Sequence, residues 1–297
     1  MKVVIPMSGR GQRFVDAQYK EIKPLIKVDG KPIIEYVINL FPGENDFIFV
    51  CNKEHLEKTN LRQELQRIKP TGKIIAIDPH KKGPVYAIAQ IEEHIKDDEP
   101  VIVSYCDYNM LWDYEAFMKK MQELDCDGSI PSYIHFHPHH RHEKNVYGYS
   151  KVDKNNQVLE IQEKKPYTNN KMEEPAAVGM YYFKKGAYLK KYGRLLMEQN
   201  IDVNGEYFVS LLYNLMQKDG LKSYVYEVPY FLQWGTPEDL EEYEAWSQFF
   251  AQKANKPKGT TTKPQGRIPQ QEITANKEEF EKTYKYWEDY FKLIRRI

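Results

Sequence analysis

Short apolar runs rich in β-branched residues, separated by segments with helical spacing, most strongly constrain the fold of this 297-residue chain. The runs lie at residues 2–6, 46–51, 73–77 and 101–104. The helical segments between them span residues 33–41, 54–68 and 85–95. Continuous apolar strands that alternate with helices predict a parallel sheet covered on both faces. Ligands of such sheets bind at the carboxyl ends of the strands, so we expect functional loops after Pro6, Ile77 and Ser104.

The second half of the sequence changes character. Strand patterns follow one another with few helices between them, at residues 127–134, 148–153, 158–163 and 178–183. This arrangement predicts an antiparallel extension of the sheet that supplies the pocket of a second substrate. The predicted domain ends with helices at residues 184–199 and 206–217, a strand at 223–228 and a helix at 237–251.

The composition shifts near the end of the chain. From about residue 253 to 274 the sequence nearly lacks apolar side chains, which is typical of a linker. The following segment predicts an amphipathic helix whose aromatic face must be buried, either on the same domain or against a second copy or partner. That face carries Phe280, Tyr284, Trp287, Tyr290, Phe291 and Ile294. We therefore predict a domain at residues 1–252, a linker at 253–274 and a C-terminal amphipathic helix at 275–297.

Charge and hydropathy exclude several classes of protein. Lys and Arg number 43 and Asp and Glu number 43, and this balance argues against a nucleic-acid binder. No window approaches the length of a membrane span, and the N-terminal apolar run is too short for a signal peptide, so we expect a cytoplasmic protein. Cys51, Cys106 and Cys126 form no CxxC pair, which gives no disulfide framework and no zinc signature.

A glycine loop follows the first strand, with Gly9 and Gly11 one residue apart and Arg13 two residues later. Glycines let backbone N–H groups approach phosphate oxygens, and the arginine fork can bind a phosphate. By itself such spacing is most often a structural turn. The loop is neither a Walker A motif, because no Gly-Lys-Ser/Thr follows, nor a dinucleotide fingerprint, because the third glycine is missing.

Further motifs follow in a defined order. Lys23-Pro24-Leu25 comes ten residues after Arg13, and a Gly-Lys-Pro-Ile sequence at residues 30–33 opens a helix. Together with the glycine loop they resemble the signature of the nucleotidyltransferase family, which includes sugar-nucleotide pyrophosphorylases and cytidylyltransferases. The resemblance implies a Rossmann-like, GT-A-type α/β fold, with a mixed central sheet and helices on both faces; here a C-terminal helical tail is added. Met7-Ser8 departs from the more usual Ala-Gly of that family.

The resemblance assigns roles to the loop residues. The glycine loop would wrap a nucleoside triphosphate, and Arg13 and Lys23 would neutralise its charge. The implied nucleotide-binding residues here are Pro6, Met7, Ser8, Gly9, Arg10, Gly11, Arg13 and Lys23. Gly83 and Pro84, at a helix start, resemble a loop that contacts the nucleobase, although a proline also suits any helix N-terminus. The usual Gln-x-Thr is absent, so CTP, UTP and dTTP all remain open, with CTP slightly favoured.

Asp107 lies just past the strand at residues 101–104, where the family places a magnesium-binding aspartate. Mg²⁺ prefers one or two carboxylates together with substrate phosphate oxygens. We therefore expect Asp107 to bind both the metal and the nucleotide. Asp113, further along, is expected to cap a helix.

The expected acceptor site lies in the second half. Glu163-Lys164-Lys165-Pro166 resembles a Glu-Lys-Pro element that holds the acceptor's hydroxyls and phosphate, and either lysine can be the phosphate contact. Gly-Thr-Pro-Glu-Asp-Leu at residues 235–240 matches a C-terminal signature of the family. Two residues before its glycine, where the family often has a second metal-binding Asp, this chain has Gln233, and Glu206 is a candidate replacement. The implied acceptor-binding residues are Tyr147, Gly148, Glu163, Lys164, Lys165, Gly179, Glu206 and Gln233.

A histidine-rich segment spans residues 135–142. Zinc binding, a contact from its histidines, Arg141 and Lys144 to an anionic acceptor, and a solvated loop all remain open. The Phe-His-Pro-His sequence within it resembles family members linked to capsule or surface-polysaccharide assembly.

The resemblance implies a magnesium-dependent transfer of a nucleoside monophosphate to a phosphorylated sugar or another small phosphomonoester, such as phosphocholine or a phosphorylated amide. Pyrophosphate would be released and the product would be a precursor for surface polysaccharide. The catalytic residues would be Arg13, Lys23, Asp107 and Lys164. One alternative is a GT-A glycosyltransferase, which would be expected to carry Asp-x-Asp where this chain has Asp107-Tyr108-Asn109. The other is a non-catalytic nucleotide-binding scaffold.

Overall fold

The computed structural model describes residues 1–138, 146–254 and 277–294. Its strands are β1 (Lys2–Met7), β2 (Lys27–Val28), β3 (Lys31–Pro32), β4 (Asp46–Asn52), β5 (Lys73–Ile77), β6 (Val101–Ser104), β7 (Tyr108–Leu111), β8 (Gly128–Tyr133), β9 (Gly148–Val152), β10 (Val158–Glu163), β11 (Ala176–Ala177), β12 (Met180–Phe183), β13 (Ser223–Glu227) and β14 (Tyr230–Gln233).

The helices are α1 (Gln12–Asp16), α2 (Ile33–Asn39), α3 (Lys53–Lys58), α4 (Leu61–Ile68), α5 (Gly83–Ala89), α6 (Tyr114–Leu124), α7 (Gly186–Glu198), α8 (Leu212–Lys218), α9 (Pro237–Ala254) and α10 (Lys277–Ile294). Short 3-10 turns lie at Lys23–Leu25, Glu92–His94, Lys171–Glu173 and Val209–Leu211.

One large sheet forms the centre of the molecule, with the strand order β10-β9-β11-β8-β12-β6-β1-β4-β5 and with β13 beside β8. Four adjacent strands pair in parallel, in the order β6, β1, β4 and β5. This confirms the parallel half of the sheet that the apolar runs predicted. β12 pairs antiparallel with both β6 and β8, and it begins the mixed half of the sheet.

The central strand β1 shows why the fold has two layers of core. All six of its residues are buried. Val3 and Ile5 pack into one apolar cluster, while Val4 packs into the cluster on the opposite face. Alternate side chains of a strand point to opposite faces, so a strand whose residues are all buried must be covered on both sides. Burial of each such side chain stabilises the fold by roughly 1.5–3 kcal/mol.

A small two-stranded sheet made of β7 and β14 was not predicted. Gln233 lies opposite Tyr108 in this antiparallel pair. The Trp234 amide also donates to the Asp107 carbonyl oxygen, with an N–O distance of 2.9 Å. The pair therefore fixes the backbone that leaves β6 at Asp107 against the segment that enters α9.

Several element boundaries differ from the prediction. The helix expected at residues 54–68 is broken into α3 and α4, because Thr59 is in extended conformation. The helix expected at 206–217 begins only after the Val209–Leu211 turn, so Glu206 lies in a loop. Helix α6, which no predicted range covered, is capped by the expected Asp113, whose carboxylate accepts a 2.8 Å hydrogen bond from the Ala116 amide.

The aromatic face of α10 is buried in the same chain. Tyr286, Trp287, Tyr290 and Phe291 are each at most 7% exposed. The ring of Trp287 lies 5.7 Å from that of Tyr243 on α9, as measured between centroids. Helix α9 continues to Ala254, two residues into the segment predicted as a linker. In the parts of the chain that the structure describes, no helix is both long and apolar enough to cross a membrane.

Candidate functional site

A cleft of about 520 Å³ opens at the carboxyl ends of β1, β5 and β6. This is the edge at which the strand pattern predicted the functional loops. Every residue predicted to bind the nucleotide lines it: Pro6, Met7, Ser8, Gly9, Arg10, Gly11, Arg13, Lys23, Gly83, Pro84 and Asp107. The cleft thus brings together three segments that are far apart in the sequence.

The glycine loop turns sharply from β1 into α1. Gly11 has φ +64°, a left-handed conformation that suits glycine, and its carbonyl accepts the Phe14 amide at 2.9 Å. Phe14 is 2% exposed and anchors the turn in the core. The hydrogen bond and the buried Phe14 ring fix the loop on the core, while Arg10 and Arg13 remain exposed beside the cleft.

Lys23 and Asp107 meet at the centre of the cleft, where the Lys23 ammonium forms an ion pair with the Asp107 carboxylate. Their side chains are 20% and 26% exposed. Pro24 and Leu25 are buried and fix the 3-10 turn that carries Lys23. The two groups predicted to act on the phosphates are therefore in direct contact.

Gln233 lies beside Asp107. A Cβ added at Gly235 would lie 3.2 Å from Asp107 Oδ2 and 3.3 Å from Gln233 Nε2. The Gln233 amide group donates a 2.9 Å hydrogen bond to the Asp239 carboxylate, which is 5% exposed. At least one of the two amide protons of Gln233 is therefore committed to Asp239.

The residues around Asp107 fit a divalent metal that takes few ligands from the protein. Among the described residues there is no group of three or more His, Cys, Asp or Glu side chains that could hold a metal ion. A metal that is held mainly by protein ligands, such as structural zinc, does not fit this donor set. Mg²⁺ does fit, because it is commonly held by one or two carboxylates with phosphate oxygens and waters completing the shell.

A second segment of the cleft, from His80 to Pro84, follows β5. His80 Nε2 lies 3.0 Å from Ser8 Oγ, and the Lys82 amide donates to His80 Nδ1 at 3.2 Å. Gly83 has φ +82°, and a Cβ there would lie 2.6 Å from the Tyr207 amide nitrogen. This close backbone approach requires glycine at position 83 and joins the segment to the loop that carries Glu206.

The expected acceptor residues approach the cleft from the end of β10. Glu206 lines the cleft directly. Lys164 has φ +59°, and its ammonium lies 3.9 Å from the Glu206 carboxylate and 4.4 Å from the Phe208 ring centroid. Phe208 also lines the cleft, whereas Lys165 is exposed. Of the two lysines that the sequence left open, Lys164 is therefore the one that contacts residues of the cleft wall.

Glu163 lies behind this wall. Its carboxylate accepts a 2.5 Å hydrogen bond from the Ser210 hydroxyl. Burial raises the pKa of the Glu163 carboxyl to about 7, against the opposing effects of Ser210 and Lys164. The side chain is therefore near its titration point at neutral pH and can donate or accept a hydrogen bond.

The remaining members of the predicted acceptor set shape the wall. A Cβ added at Gly148 would lie 2.8 Å from Glu163 Oε2, and one added at Gly179 would lie 3.2 Å from the Tyr105 ring. Tyr147 is 6% exposed, and its carbonyl accepts the Lys164 amide at 2.8 Å. These residues set the positions of Glu163, Tyr105 and Lys164 rather than facing the cleft themselves.

The histidine segment does not act as one cluster in its described part. His135 lies at the surface, 3.2 Å from the Glu227 carboxylate. His137 is 3% exposed, and its Nε2 lies 2.9 Å from the Phe231 carbonyl oxygen beneath α10. Of the three possibilities that the sequence left open for this segment, a solvated loop does not apply to His137, because its side chain is buried in the core. Residues 139–142, with Arg141 among them, and Lys144 lie outside the described residues.

The sequence prediction missed several cleft residues: His55, His80, Tyr105, Cys106, Asn204 and Phe208. His55 and His80 follow β4 and β5 by only a few residues. The rule that polar residues just past parallel strands lie at the ligand edge applies to both of them. Asn204 and Phe208 carry no comparable signal.

The strand order, the crossing of β12 between β6 and β8, and the glycine loop after β1 define a Rossmann-like nucleotidyltransferase fold. The family model described as Nucleotidyl transferase matches residues 2–289, and the chain belongs to this family.

Two curated proteins are similar in sequence to part of this chain. It is similar to the bifunctional protein GlmU of Staphylococcus epidermidis, with 23% identity over 230 residues, which are 75% of this chain and 47% of GlmU. It is also similar to glucose-1-phosphate cytidylyltransferase of Salmonella typhimurium, with 23% identity over 129 residues, which are 36% of this chain and 50% of that protein. The chain thus spans about half the length of these curated relatives.

The fold is also found in a solved structure, the nucleoside-diphosphate-sugar pyrophosphorylase of Vibrio cholerae RC9. The TM-score is 0.65 at 16% identity, and the match covers 82% of this chain and 99% of that one. At this identity the likeness concerns the fold.

Proposed function

We propose that this protein transfers a nucleoside monophosphate from a nucleoside triphosphate to a phosphorylated sugar or another small phosphomonoester, with release of pyrophosphate. The observation that carries the proposal is the Lys23–Asp107 ion pair, which lies in one cleft with the glycine loop. A cation and a carboxylate beside a glycine loop are the groups that a metal-bound triphosphate requires.

In this proposal Gly9, Gly11 and Arg13 bind the triphosphate. Backbone N–H groups and a guanidinium are effective donors to phosphate oxygens. Lys23 leaves Asp107 and binds the α-phosphate side of the triphosphate, where its charge offsets the negative charge that develops during transfer. Asp107 would hold Mg²⁺, which supplies positive charge to the phosphates when it is bound.

Lys164 holds the acceptor phosphate. An acceptor oxygen attacks the α-phosphorus, so the new O–P bond forms while the bond from the α-phosphorus to the bridging oxygen of the pyrophosphate breaks. The electron pair of the broken bond leaves with pyrophosphate, and no covalent enzyme intermediate is needed. Positioning of the two phosphates supplies much of the acceleration, because it turns a bimolecular reaction into one within a single complex.

CTP is the first triphosphate to test, since one similar protein is a cytidylyltransferase. UTP and dTTP are the next candidates. We also propose that the product serves as an activated precursor for surface polysaccharide.

The experiment is pyrophosphate release from ATP, GTP, CTP, UTP and dTTP with Mg²⁺, each against a panel of sugar phosphates and small phosphomonoesters. Asp107→Asn is the inactive control, because it removes the carboxylate charge with little change of shape. Release that needs one triphosphate and one acceptor, and that falls at least 100-fold in the control, supports the proposal. Absence of both turnover and triphosphate binding in the unmodified protein overturns it.

A further inference from the structure

Ser8, one of the expected nucleotide-binding residues, forms a polar pair in the cleft with His80, to which no motif assigns a role. Ser8 is the last residue before Gly9 of the glycine loop and is 3% exposed. His80 follows β5 on the other side of the cleft, and its ring packs edge-on against Tyr86 with a centroid distance of 4.8 Å. Both residues line the cleft.

The hydrogen bonds fix where the protons of this pair lie. The Lys82 amide donates to His80 Nδ1, so the proton of the neutral ring is on Nε2. Burial, helped by the Lys82 ammonium, lowers the pKa of His80 from its ordinary value of 6.5, which keeps the ring neutral at pH 7. His80 Nε2–H therefore donates to Ser8 Oγ at 3.0 Å.

The Ser8 hydroxyl then has a proton to give. Among the residues that the structure describes, no acceptor for this proton is found, although the side chain is buried at the cleft wall. A buried hydroxyl proton without an acceptor is costly, so a ligand that supplies an acceptor at this point gains affinity.

The place of Ser8 in the chain limits which ligand atom it can reach. Ser8 adjoins the glycine loop, so it lies next to the phosphates and the sugar of a bound triphosphate. In a pyrimidine nucleotide, the base acceptor nearest the sugar is the O2 carbonyl, beside the glycosidic nitrogen. Met7, Gly83 and Pro84 give this side of the cleft neutral surfaces that suit a flat base, and Lys81 in the same segment adds one positive charge.

We propose that Ser8 donates a hydrogen bond to the O2 carbonyl of a pyrimidine base, and that His80 positions Ser8 for this contact. The inference rests on the proposed function, because it takes the glycine loop as the triphosphate site. It adds a specific base contact made by this chain's own Ser8 and His80. His80 touches no substrate atom in this arrangement and acts only through Ser8.

The test is calorimetric binding of CTP and UTP, of their 2-thio analogues and of inorganic tripolyphosphate to the full chain. Sulfur at position 2 is a poor hydrogen-bond acceptor, so the unmodified protein should bind the natural nucleotides several-fold more tightly than the analogues. Ser8→Ala should weaken CTP or UTP binding by roughly 3- to 10-fold, the typical effect of one hydrogen bond. It should also abolish the preference over the 2-thio forms. Tripolyphosphate affinity should change by less than about 2-fold.

Two further variants distinguish the loss of the Ser8 hydrogen bond from a change in packing around it. Ser8→Cys keeps the size of the side chain but donates weakly, and it should behave like Ser8→Ala. His80→Ala should show a smaller loss in the same direction, and combining it with Ser8→Ala should add little, since both act on one contact. Thermal melts of each variant show whether the fold is retained.

Three results would overturn the inference while leaving the proposed function intact. One is an equal loss of tripolyphosphate and nucleotide affinity in Ser8→Ala. Another is a preference for the natural base that persists without the hydroxyl. The third is a loss that disappears with 2′-deoxynucleotides, which would place the contact on the ribose. Failure of the unmodified protein to bind any of these ligands would instead overturn the proposed function itself.

Discussion

Lys23 and Asp107 are 84 residues apart in the sequence and form an ion pair at the centre of the cleft. In this ion pair, each side chain neutralises the charge of the other. A triphosphate with its metal brings both an anion for Lys23 and a cation for Asp107, so both charges are compensated again when the pair separates. Under the proposed function, the pair therefore holds two partly buried charges in position until a triphosphate binds.

Removing Lys23 should weaken triphosphate binding. A charge-assisted hydrogen bond contributes about 1.5–3 kcal/mol, so Lys23→Met should raise the Kd for tripolyphosphate roughly 10- to 100-fold. Calorimetry at low salt measures this. Lys20→Met, at an exposed lysine three residues earlier, is the matched control and should change the Kd by less than about 2-fold. Equal effects of the two changes would mean that general charge, not the position of Lys23, attracts the phosphates.

The two lysines after Glu163 should differ in their effect on the acceptor. Lys164 reaches Glu206 and Phe208 at the cleft wall, whereas Lys165 is exposed. Lys164→Ala should raise the KM for the acceptor phosphate roughly 10- to 100-fold, and Lys165→Ala should raise it less than about 3-fold. Steady-state kinetics at saturating triphosphate measures both. The reverse ranking would assign the acceptor contact to Lys165.

Gly83 should tolerate alanine less well than a glycine of the same conformation. Gly83 and Gly43 both have φ +82°, but only Gly83 approaches another backbone, that of Tyr207. Gly43→Ala should lower the free energy of unfolding by about 1–2 kcal/mol through the left-handed conformation. Gly83→Ala should lower the free energy of unfolding by roughly 1–3 kcal/mol more than Gly43→Ala does, because of the additional steric clash. Urea denaturation measures both, and equal losses would argue against the Gly83–Tyr207 contact.

Glu163 should make stability depend on pH. Burial raises the pKa of Glu163 in the folded chain to about 7 from an ordinary value of 4.5, so the folded state holds its proton more tightly than the unfolded state. The tighter proton binding adds up to about 3 kcal/mol to the free energy of unfolding. This stabilisation is fully present below pH 4.5 and is lost as the pH rises to about 7. Glu163→Gln carries no titrating group at this site and should lose less stability than the unmodified chain between pH 5 and pH 8.

The check is urea denaturation at both pH values. Glu160→Gln, on the same strand but exposed, should keep the pH dependence of the unmodified chain. A parallel loss of stability in the Glu163→Gln variant and the unmodified protein would show that the Glu163 carboxyl ionises freely in the fold.

Helix α10 should contribute strongly to stability through its aromatic face. Trp287 is 4% exposed and packs on Tyr243, so Trp287→Ala should lower the free energy of unfolding by about 3–5 kcal/mol. Leu293 on the same helix is 42% exposed, and Leu293→Ala should change it by less than about 1 kcal/mol. Thermal and urea melts measure both. A Trp287→Ala variant as stable as the unmodified chain would mean that α10 does not dock on α9 in solution.

The sequence predicted the parallel half of the sheet because β1, β4 and β6 are continuous apolar runs that only a doubly covered sheet can bury. β7 and β14 escaped prediction for a physical reason. Each is four residues long, and each is paired with the other across more than 100 residues of chain. Local periodicity carries no information about such a partner.

In the site, too, residues of local motifs could be predicted, and residues placed by distant contacts could not. Gly9, Gly11, Arg13 and Lys23 belong to motifs with fixed spacing, and they line one cleft as the motifs implied. His80 belongs to no motif, and its place beside Ser8 depends on how far apart β1 and β5 lie in the sheet. His137 was grouped with its sequence neighbours, although its burial depends on Phe231 and Tyr286, which come more than 90 residues later.

The hydrogen bond from the Trp234 amide to the Asp107 carbonyl has a consequence for biosynthesis. β1 and β6 leave the ribosome early and can pair as soon as residue 104 has emerged. Asp107, however, gains its backbone partner only after β14 has been translated, some 130 residues later. The nascent chain can therefore display the glycine loop long before the carboxylate beside it is fixed, and ligand affinity should be acquired late in synthesis.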